Sequence, residues 1–493
     1  MGANLPVLQV VVPLLAAPVA FLVRRPRLSW LVAMGAAFWA LYAALSLLGR
    51  SLAAGGAISY EIGGWEAPWG IEYRVDELSA WVLVIVSGIA AIVLPYARAS
   101  VEREVESDRI PLFYTALILC MTGLLGITIT GDVFNVFVFL EISSLSSYAL
   151  IALGRDRRAL TAAYQYLIMG TIGATFFLIG VGLLYSMTGT LNMIDLAGRL
   201  PAVVDSRTVH TAFAFLVAGI GLKLALFPLH LWLPNAYTYA PSAVSAFIAA
   251  TATKVAVYML LRVLFTVFGV GFSFGQMPLQ PILIALSVVG IVVTSFMAVS
   301  QSDAKRLLAY SSIAQIGYMV VGLSIATAAG LTAAIVHMFN HALMKGALFA
   351  ALGAVAYRIG STRINDLAGL GHAMPWTMSA FALGGLSLIG VPLTAGFISK
   401  WYLIVAALEQ GWWWLALALL LTSLIAVMYV WKVVEAAWFR ELPAANNNVR
   451  EAPLSLLVPT WILVTANLWF GIDTRYSAGL AARAAEWLLG SGS

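Results

Sequence analysis

Cysteine is almost absent: Cys120 stands alone in 493 residues, which excludes a disulfide framework and any cluster of thiolate metal ligands. Charge is scarce as well. Only 10% of residues are charged, where a soluble globule carries roughly 25%, so the chain cannot coat a water-facing surface. The net charge is +5, yet the basic residues form no run, which argues against a nucleic-acid partner. No dinucleotide fingerprint, phosphate loop or haem-attachment motif occurs. Redox chemistry is therefore not housed here, and no cofactor or metal is expected. What is present is apolar: 62% of residues are hydrophobic and the mean hydropathy is +0.94. Lipid must be the main solvent.

A bilayer core of about 30 Å takes about 20 apolar residues in a helix. Runs of that kind lie near 5–23, 29–48, 78–97, 110–130, 132–153, 160–187, 209–235 and 242–268, and again near 279–300, 306–325, 326–357, 374–406, 411–438 and 453–472. The chain is thus expected to be an all-α polytopic membrane protein of fourteen spans. Arg24, Arg25 and Arg27 follow the first run where a small-residue cleavage site would stand, so that run is read as an uncleaved span. The longest polar connection, 49–77, carries Gly55-Gly56, Gly63-Gly64 and alternation over Ile58–Ile62, which predict a small hairpin. Residues 191–207 and 476–490 are mixed in character and predict surface helices.

Counting Lys and Arg on alternate sides orients the chain. Arg24, Arg25, Arg27, Arg98, Arg103, Arg109, Arg155, Arg157, Arg158, Lys305, Arg306, Arg358, Arg363, Arg440 and Arg450 fall on one side. Arg50, Arg74, Arg199, Arg207, Arg262, Arg475 and Arg483 fall on the other. Fifteen against seven puts both termini on the non-cytoplasmic side of a bacterial inner membrane.

The remaining basic residues are all lysines inside apolar spans: Lys223, Lys254, Lys345, Lys400 and Lys432. Loop chemistry is left to arginine. Arginine keeps its proton in essentially any site, whereas a buried lysine can release one, so this division suits a path for protons. Glu141 belongs to the same set. It lies within the fifth span with Ser143, Ser144, Ser146 and Ser147 close behind it to hold water. His337, His341 and Lys345 follow at i, i+4 and i+8, climbing one helix face over roughly 12 Å. Two imidazoles and an amine so spaced can relay protons through water. The alternatives are a zinc site, for which Met338 stands where the catalytic glutamate of His-Glu-x-x-His would be, and purely structural links between helices.

Prolines interrupt two of the lysine-bearing spans: Pro228 and Pro234 after Lys223, and Pro392 before Lys400. Broken helices in corresponding halves of a membrane chain point to an ion site. His230, between Pro228 and Pro234, joins the candidate groups. Lys432 and Glu435, at i and i+3 near a span end, form either an extension of the relay or a surface pair. Asp76 and Asp132 each open a span, as helix cap or as exit group.

At these residues the chain resembles the antiporter-like proton-translocating subunits shared by respiratory complex I, membrane-bound hydrogenases and Mrp-type multisubunit Na⁺/H⁺ antiporters. The resemblance is carried by Gly131-Asp-Val-Phe-Asn-Val-Phe-Val-Phe-Leu-Glu141, the segment from Lys223 through Ser245, Lys254, His337–Lys345, and Gly390-Val-Pro to Lys400. Within the family the wording after Glu141, Ser-Ser-Tyr-Ala-Leu-Ile-Ala-Leu-Gly154, looks most like the D-type Mrp subunits, and the lysine at 400 points the same way. The resemblance implies two inverted five-helix repeats, 110–268 and 279–440, each with one broken helix. They are flanked by helices 1–3 over 1–109 and by a last span with surface segment over 453–493. It implies an ion pair between Glu141 and Lys223, a central link at Lys254, continuation through His337, His341 and Lys345, and an end at Lys400. It implies assembly with other membrane subunits, of the A, B, C, E, F and G types in an Mrp antiporter, with H⁺ and Na⁺ as transported ions. The alternative it leaves open is a proton-pumping subunit of a redox-driven complex; a structural scaffold is the reading from outside transport.

Overall fold

The computed structural model describes residues 4–443, 446 and 448–490; the extreme ends of the first and last expected segments, 1–3 and 491–493, lie outside the described residues. Twelve helices among them are long and apolar enough to cross a bilayer. Two further crossings are made in pieces. Span 7 is Arg207–Leu224 followed by Leu233–Tyr239, and span 12 is Pro375–Ile389 followed by Ala395–Glu409. Twelve and two give the fourteen expected. Both breaks fall where prolines stand. Ala225 turns to a φ of 59° ahead of Pro228, while Gly390 and Leu393 take φ values of 92° and 71° around Pro392. Pro234 sits in the first turn of the second piece of span 7, where a missing N–H costs nothing.

The connection after span 2 forms the expected hairpin, Ile58–Glu61 antiparallel to Glu72–Val75, with Ile58 opposite Val75 and Glu61 opposite Glu72. The Glu72 carbonyl accepts the Gly131 N–H at 2.8 Å, laying the hairpin over the ends of spans 4 and 5. We call that side the hairpin face. Both mixed segments are helical, as Met193–Arg199 and Arg475–Gly490.

The two halves repeat details as well as helix breaks. Asp132 caps span 5, Val133–Ala152, and Asp303 caps span 10, Ala304–Ser324. Each Asp then forms an antiparallel bridge at the same spacing downstream, Asp132 with Asn192 and Asp303 with Arg363. Successive spans alternate in direction, so spans 5 and 10 run oppositely and the repeats are inverted.

Burial identifies the middle of the bundle. Spans 8 and 10, Ser242–Val267 and Ala304–Ser324, are 94% and 100% enclosed over their apolar windows, while spans 1, 2, 6, 9, 13 and 14 are less than half enclosed and face outward. Span 11, Ala328–Ile359, packs against spans 8, 10, 12 and 14 and against the C-terminal helix. At 32 residues it is roughly 48 Å long, well beyond a 30 Å core.

Two residues counted as flanking charges are buried at the ends of their spans. Arg262 lies buried in a π-helical turn that ends span 8, and Lys305 is buried in the first turn of span 10, donating to Ser242 Oγ at 2.9 Å. Flanking position in sequence did not reveal either, because neighbouring helices overtop both sites.

Gly396 fixes how closely the two pieces of span 12 approach: a Cβ there would sit 1.8 Å from the Ser387 carbonyl oxygen. Gly396→Ala is expected to destabilise the folded protein by about 1–3 kcal/mol through forced separation of the pieces, read as a lower unfolding midpoint of the detergent-purified chain. An unchanged midpoint would show that the break is loosely packed.

Candidate ion-translocation site

Most of the residues singled out in the sequence are buried between helices, where neutral partners hold the lysines and His337 stacks on His341. Lys223 is the penultimate residue of the first piece of span 7, so the helix ends just beyond it. Its Nζ donates to Ser144 Oγ at 2.7 Å and lies 3.4 Å from Tyr148 OH, both on span 5. A cavity of about 30 Å³ opens beside it, lined by Ser143, Ser144, Ser147 and Tyr166 and walled by span 8 residues including Ala252 and Ala256. That is room for about two waters.

The expected ion pair of Glu141 with Lys223 is not formed: among the described residues no contact within 4.0 Å joins them. Glu141 is half-buried, with Oε1 enclosed and unpartnered. Ser144 lies three residues further along the same face of span 5, and the amine has settled there, one turn from the carboxylate.

Lys254 is completely buried in span 8, its Nζ donating to the Ala249 carbonyl, with Thr253 Oγ1 at 3.4 Å. Lys345 reaches across to span 10, to the Leu308 carbonyl at 2.8 Å and Ser311 Oγ at 2.5 Å. His341, one turn back, has both ring nitrogens buried without partners. Its ring is parallel to that of His337, with an interplanar angle of 3° and centroids 6.0 Å apart. His337 Nδ1 meets Ser399 Oγ at 2.8 Å, which carries the row into span 12 beside Lys400.

Lys400 Nζ donates to the carbonyls of Leu388 and Ile389 at 3.0 and 2.9 Å. The first of these would ordinarily accept from the residue four further on, which is Pro392 and has no N–H. The amine thus satisfies carbonyls that the break has released. Lys400 also lies 5.0 Å from the Tyr318 ring centroid, repeating the relation of Lys223 to Tyr148 at 6.0 Å.

Other expected members lie off this row. Lys432 donates to the Val299 and Gln301 carbonyls at the end of span 9, and Glu435 pairs with Arg440 at 2.7 Å. The Lys432–Glu435 pair is absent because each finds a better-aligned partner. Asp132 accepts the Asn135 N–H at 2.7 Å as a helix cap. His230 is buried in the break of span 7, stacked on Phe227, with neither ring nitrogen bonded. Among the described residues no group of three or more His, Cys, Asp or Glu gathers to hold a metal ion.

Sequence reasoning missed the partners Tyr148, Ser311 and Ser399 and the Tyr318 ring over Lys400, which carry no signal until two helices are brought together. It also missed a buried pair, Arg262 with Asp76 at 2.5 Å. A signal for that pair existed: Lys254, Tyr258 and Arg262 follow the same i, i+4, i+8 spacing as His337, His341 and Lys345.

An all-α membrane protein of two inverted halves, each broken beside a buried lysine and joined by further amines and imidazoles, belongs to the ion-translocating class. Residues 130–426 match the family described as NADH:quinone oxidoreductase/Mrp antiporter, TM, and the chain belongs to it. It is 43% identical over 484 residues to NADH-quinone oxidoreductase subunit N of Desulforudis audaxviator, covering 94% of each chain. To the D-type Na(+)/H(+) antiporter subunit of Alkalihalophilus pseudofirmus it is 31% identical over 413 residues, covering 83% of this chain and 82% of the relative. A chain in the structure of the Mrp complex from Dietzia superimposes with a TM-score of 0.90 at 26% identity, over 99% of this chain and 97% of that one.

Ser144→Ala leaves the Lys223 amine with the longer contact to Tyr148 alone. It is expected to destabilise the protein by about 1–3 kcal/mol, the range for a buried polar group deprived of its partner. Tyr148→Phe should cost less. Thermal unfolding of the two variants checks the order, and equal losses would mean that Ser144 does not anchor the amine.

Proposed function

We propose that the chain is the proton-translocating subunit of a multisubunit Na⁺/H⁺ antiporter. The observation that carries this reading is the row from Lys223 through Lys254, Lys345, His341 and His337 to Lys400, made wholly of groups that can gain or lose a proton, its lysines held by neutral acceptors and His341 stacked on His337 with its ring nitrogens unbonded. Permanent ion pairs would fix the protons. Hydroxyls and carbonyls leave each amine free to exist with or without one.

Glu141 and Lys223 act as the valve of the first half. With the amine on Ser144, the pair is apart. A one-turn excursion toward Glu141 would stabilise the ammonium by a full opposite charge, and return to Ser144 would release it to the row. Protons then pass through water beside Lys254 to the histidines and Lys400. The Lys and Arg asymmetry supports the hairpin face and both termini on the non-cytoplasmic side of the cell membrane. Other membrane subunits of the antiporter are the partners.

A second reading is favoured by one specific observation, the 43% identity to NADH-quinone oxidoreductase subunit N over nearly the whole chain. Under it the same row is driven by electron transfer rather than by sodium. Native complex isolated through a tag on this chain discriminates between the two: Fe–S or flavin absorbance supports the redox reading, and its absence together with Na⁺-dependent proton flux supports the antiporter.

Lys223→Ala and Glu141→Ala are expected to abolish driven proton translocation in vesicles while the complex still assembles. Normal flux from assembled Glu141→Ala complex would overturn the valve.

A further inference from the structure

Span 8 carries a second row that the proposed path does not use. Tyr258 and Arg262 lie one and two turns beyond Lys254 on the same face, leading toward the hairpin face over roughly 12 Å. The Tyr258 hydroxyl donates to the Thr128 carbonyl at 2.7 Å and accepts from Arg262 Nε at 3.0 Å, so its single proton is committed sideways. The Arg262 guanidinium holds Asp76 at 2.5 Å and Ser79 Oγ at 3.2 Å. It is roofed by the Trp487 ring at 5.3 Å, contributed by the C-terminal helix Arg475–Gly490. An Arg483–Glu77 ion pair pins that helix to the start of span 3. The cavity between Arg74, Asp76, Thr130, Tyr258, Arg262 and Trp487 is about 10 Å³, room for one water.

The Lys254 amine is turned back to the Ala249 carbonyl, and between its level and the hairpin face span 8 offers one phenol and room for one water, with the Arg262–Asp76 pair standing across them. We propose that Arg262, held by Asp76 and roofed by Trp487, is an electrostatic seal that stops protons on Lys254 from escaping to the hairpin face in the first half. The inference rests on the reading that Lys254 carries protons. A guanidinium does not surrender its own proton, and while it is paired with Asp76 it disfavours a proton settling on that carboxylate. Asp76 holds it in place and the C-terminal helix keeps bulk water off it. This gives the C-terminal helix a task beyond packing: it closes the shorter way out, so that a proton must continue along the histidines.

The test is passive proton permeability of proteoliposomes holding the complete complex, with the membrane potential clamped and no driving cation, read by an internal pH dye after an acid step. With the Lys254 amine turned back to Ala249, the charges lie on the order of 15–20 Å apart, and one unit charge at that separation and an effective dielectric of about 20 changes proton occupancy about fivefold. Arg262→Gln is accordingly expected to raise the leak about fivefold, and Arg262→Lys, which keeps a cation, to raise it far less. Adding Lys254→Ala to Arg262→Gln should return the leak to the wild-type level. Trp487→Ala leaves the ion pair and lifts the roof; it should leak as well and serves if the Arg262 variants do not assemble. Assembled Arg262→Gln, or failing it Trp487→Ala, as tight as wild type overturns the seal. So does a leak that persists without Lys254, since that marks a packing defect. Failure of the wild-type complex to drive protons would instead overturn the functional reading, and the leak comparison is independent of it.

Discussion

Within a bilayer a charged amine and a freed backbone carbonyl are each costly, and in this protein they are set against each other. The break at Gly390–Thr394 strips the Leu388 carbonyl of its helical donor because Pro392 stands in the donor's place. Lys400 supplies the missing hydrogen bond and gains two acceptors for its own protons. Neither feature would survive in lipid alone. An intact helix would leave the amine unpartnered, and a break without the amine would leave carbonyls bare.

The same economy extends along the row. Lys254 uses a carbonyl of its own helix, and Lys345 uses Leu308 of the neighbouring span with Ser311 beside it. Serines on spans 10 and 12 do the remaining work by donating back to their own helices, which leaves the hydroxyl oxygen turned to a lysine or histidine: Ser311 Oγ also bonds Leu308, and Ser399 Oγ bonds Gly396. These local bonds cost the helix little. They fix the acceptor's position without adding a charge, and fixed acceptors at 2.5–2.8 Å align the row.

How much of this was legible follows from what kind of information each feature is. Apolar length is one-dimensional, so fourteen crossings could be counted from sequence, and the prolines at 228 and 392 marked the two that are broken. The residues of the row were visible because charge at membrane depth is rare. Their partners were not. Whether Lys223 meets Glu141 or Ser144 depends on one turn of register between spans 5 and 7. Whether Arg262 is a flanking residue or a buried one depends on the C-terminal helix folding back over it. Lys305 was read as a flanking charge in the same way, but it is buried and donates to Ser242 of span 8 at the edge of a cavity.

The division between arginine and lysine acquires a physical meaning from the ion pairs. Every carboxylate pair within 4.0 Å among the described residues uses arginine: Arg262 with Asp76 in the interior, and Arg74, Arg98, Arg109, Arg158, Arg199, Arg440, Arg475 and Arg483 nearer the surfaces. No lysine takes part. A carboxylate beside an amine stabilises the charged form and so holds the proton; an arginine loses nothing by such an arrangement, because it never gives its proton up. Placing carboxylates on arginines and neutral oxygens on lysines therefore separates two kinds of positive charge in one low-dielectric interior. One kind is permanent and closes or braces. The other has no counter-ion within bonding distance, so under the proposed valve a one-turn excursion of the Lys223 amine toward Glu141 would bring it the first full opposite charge it meets.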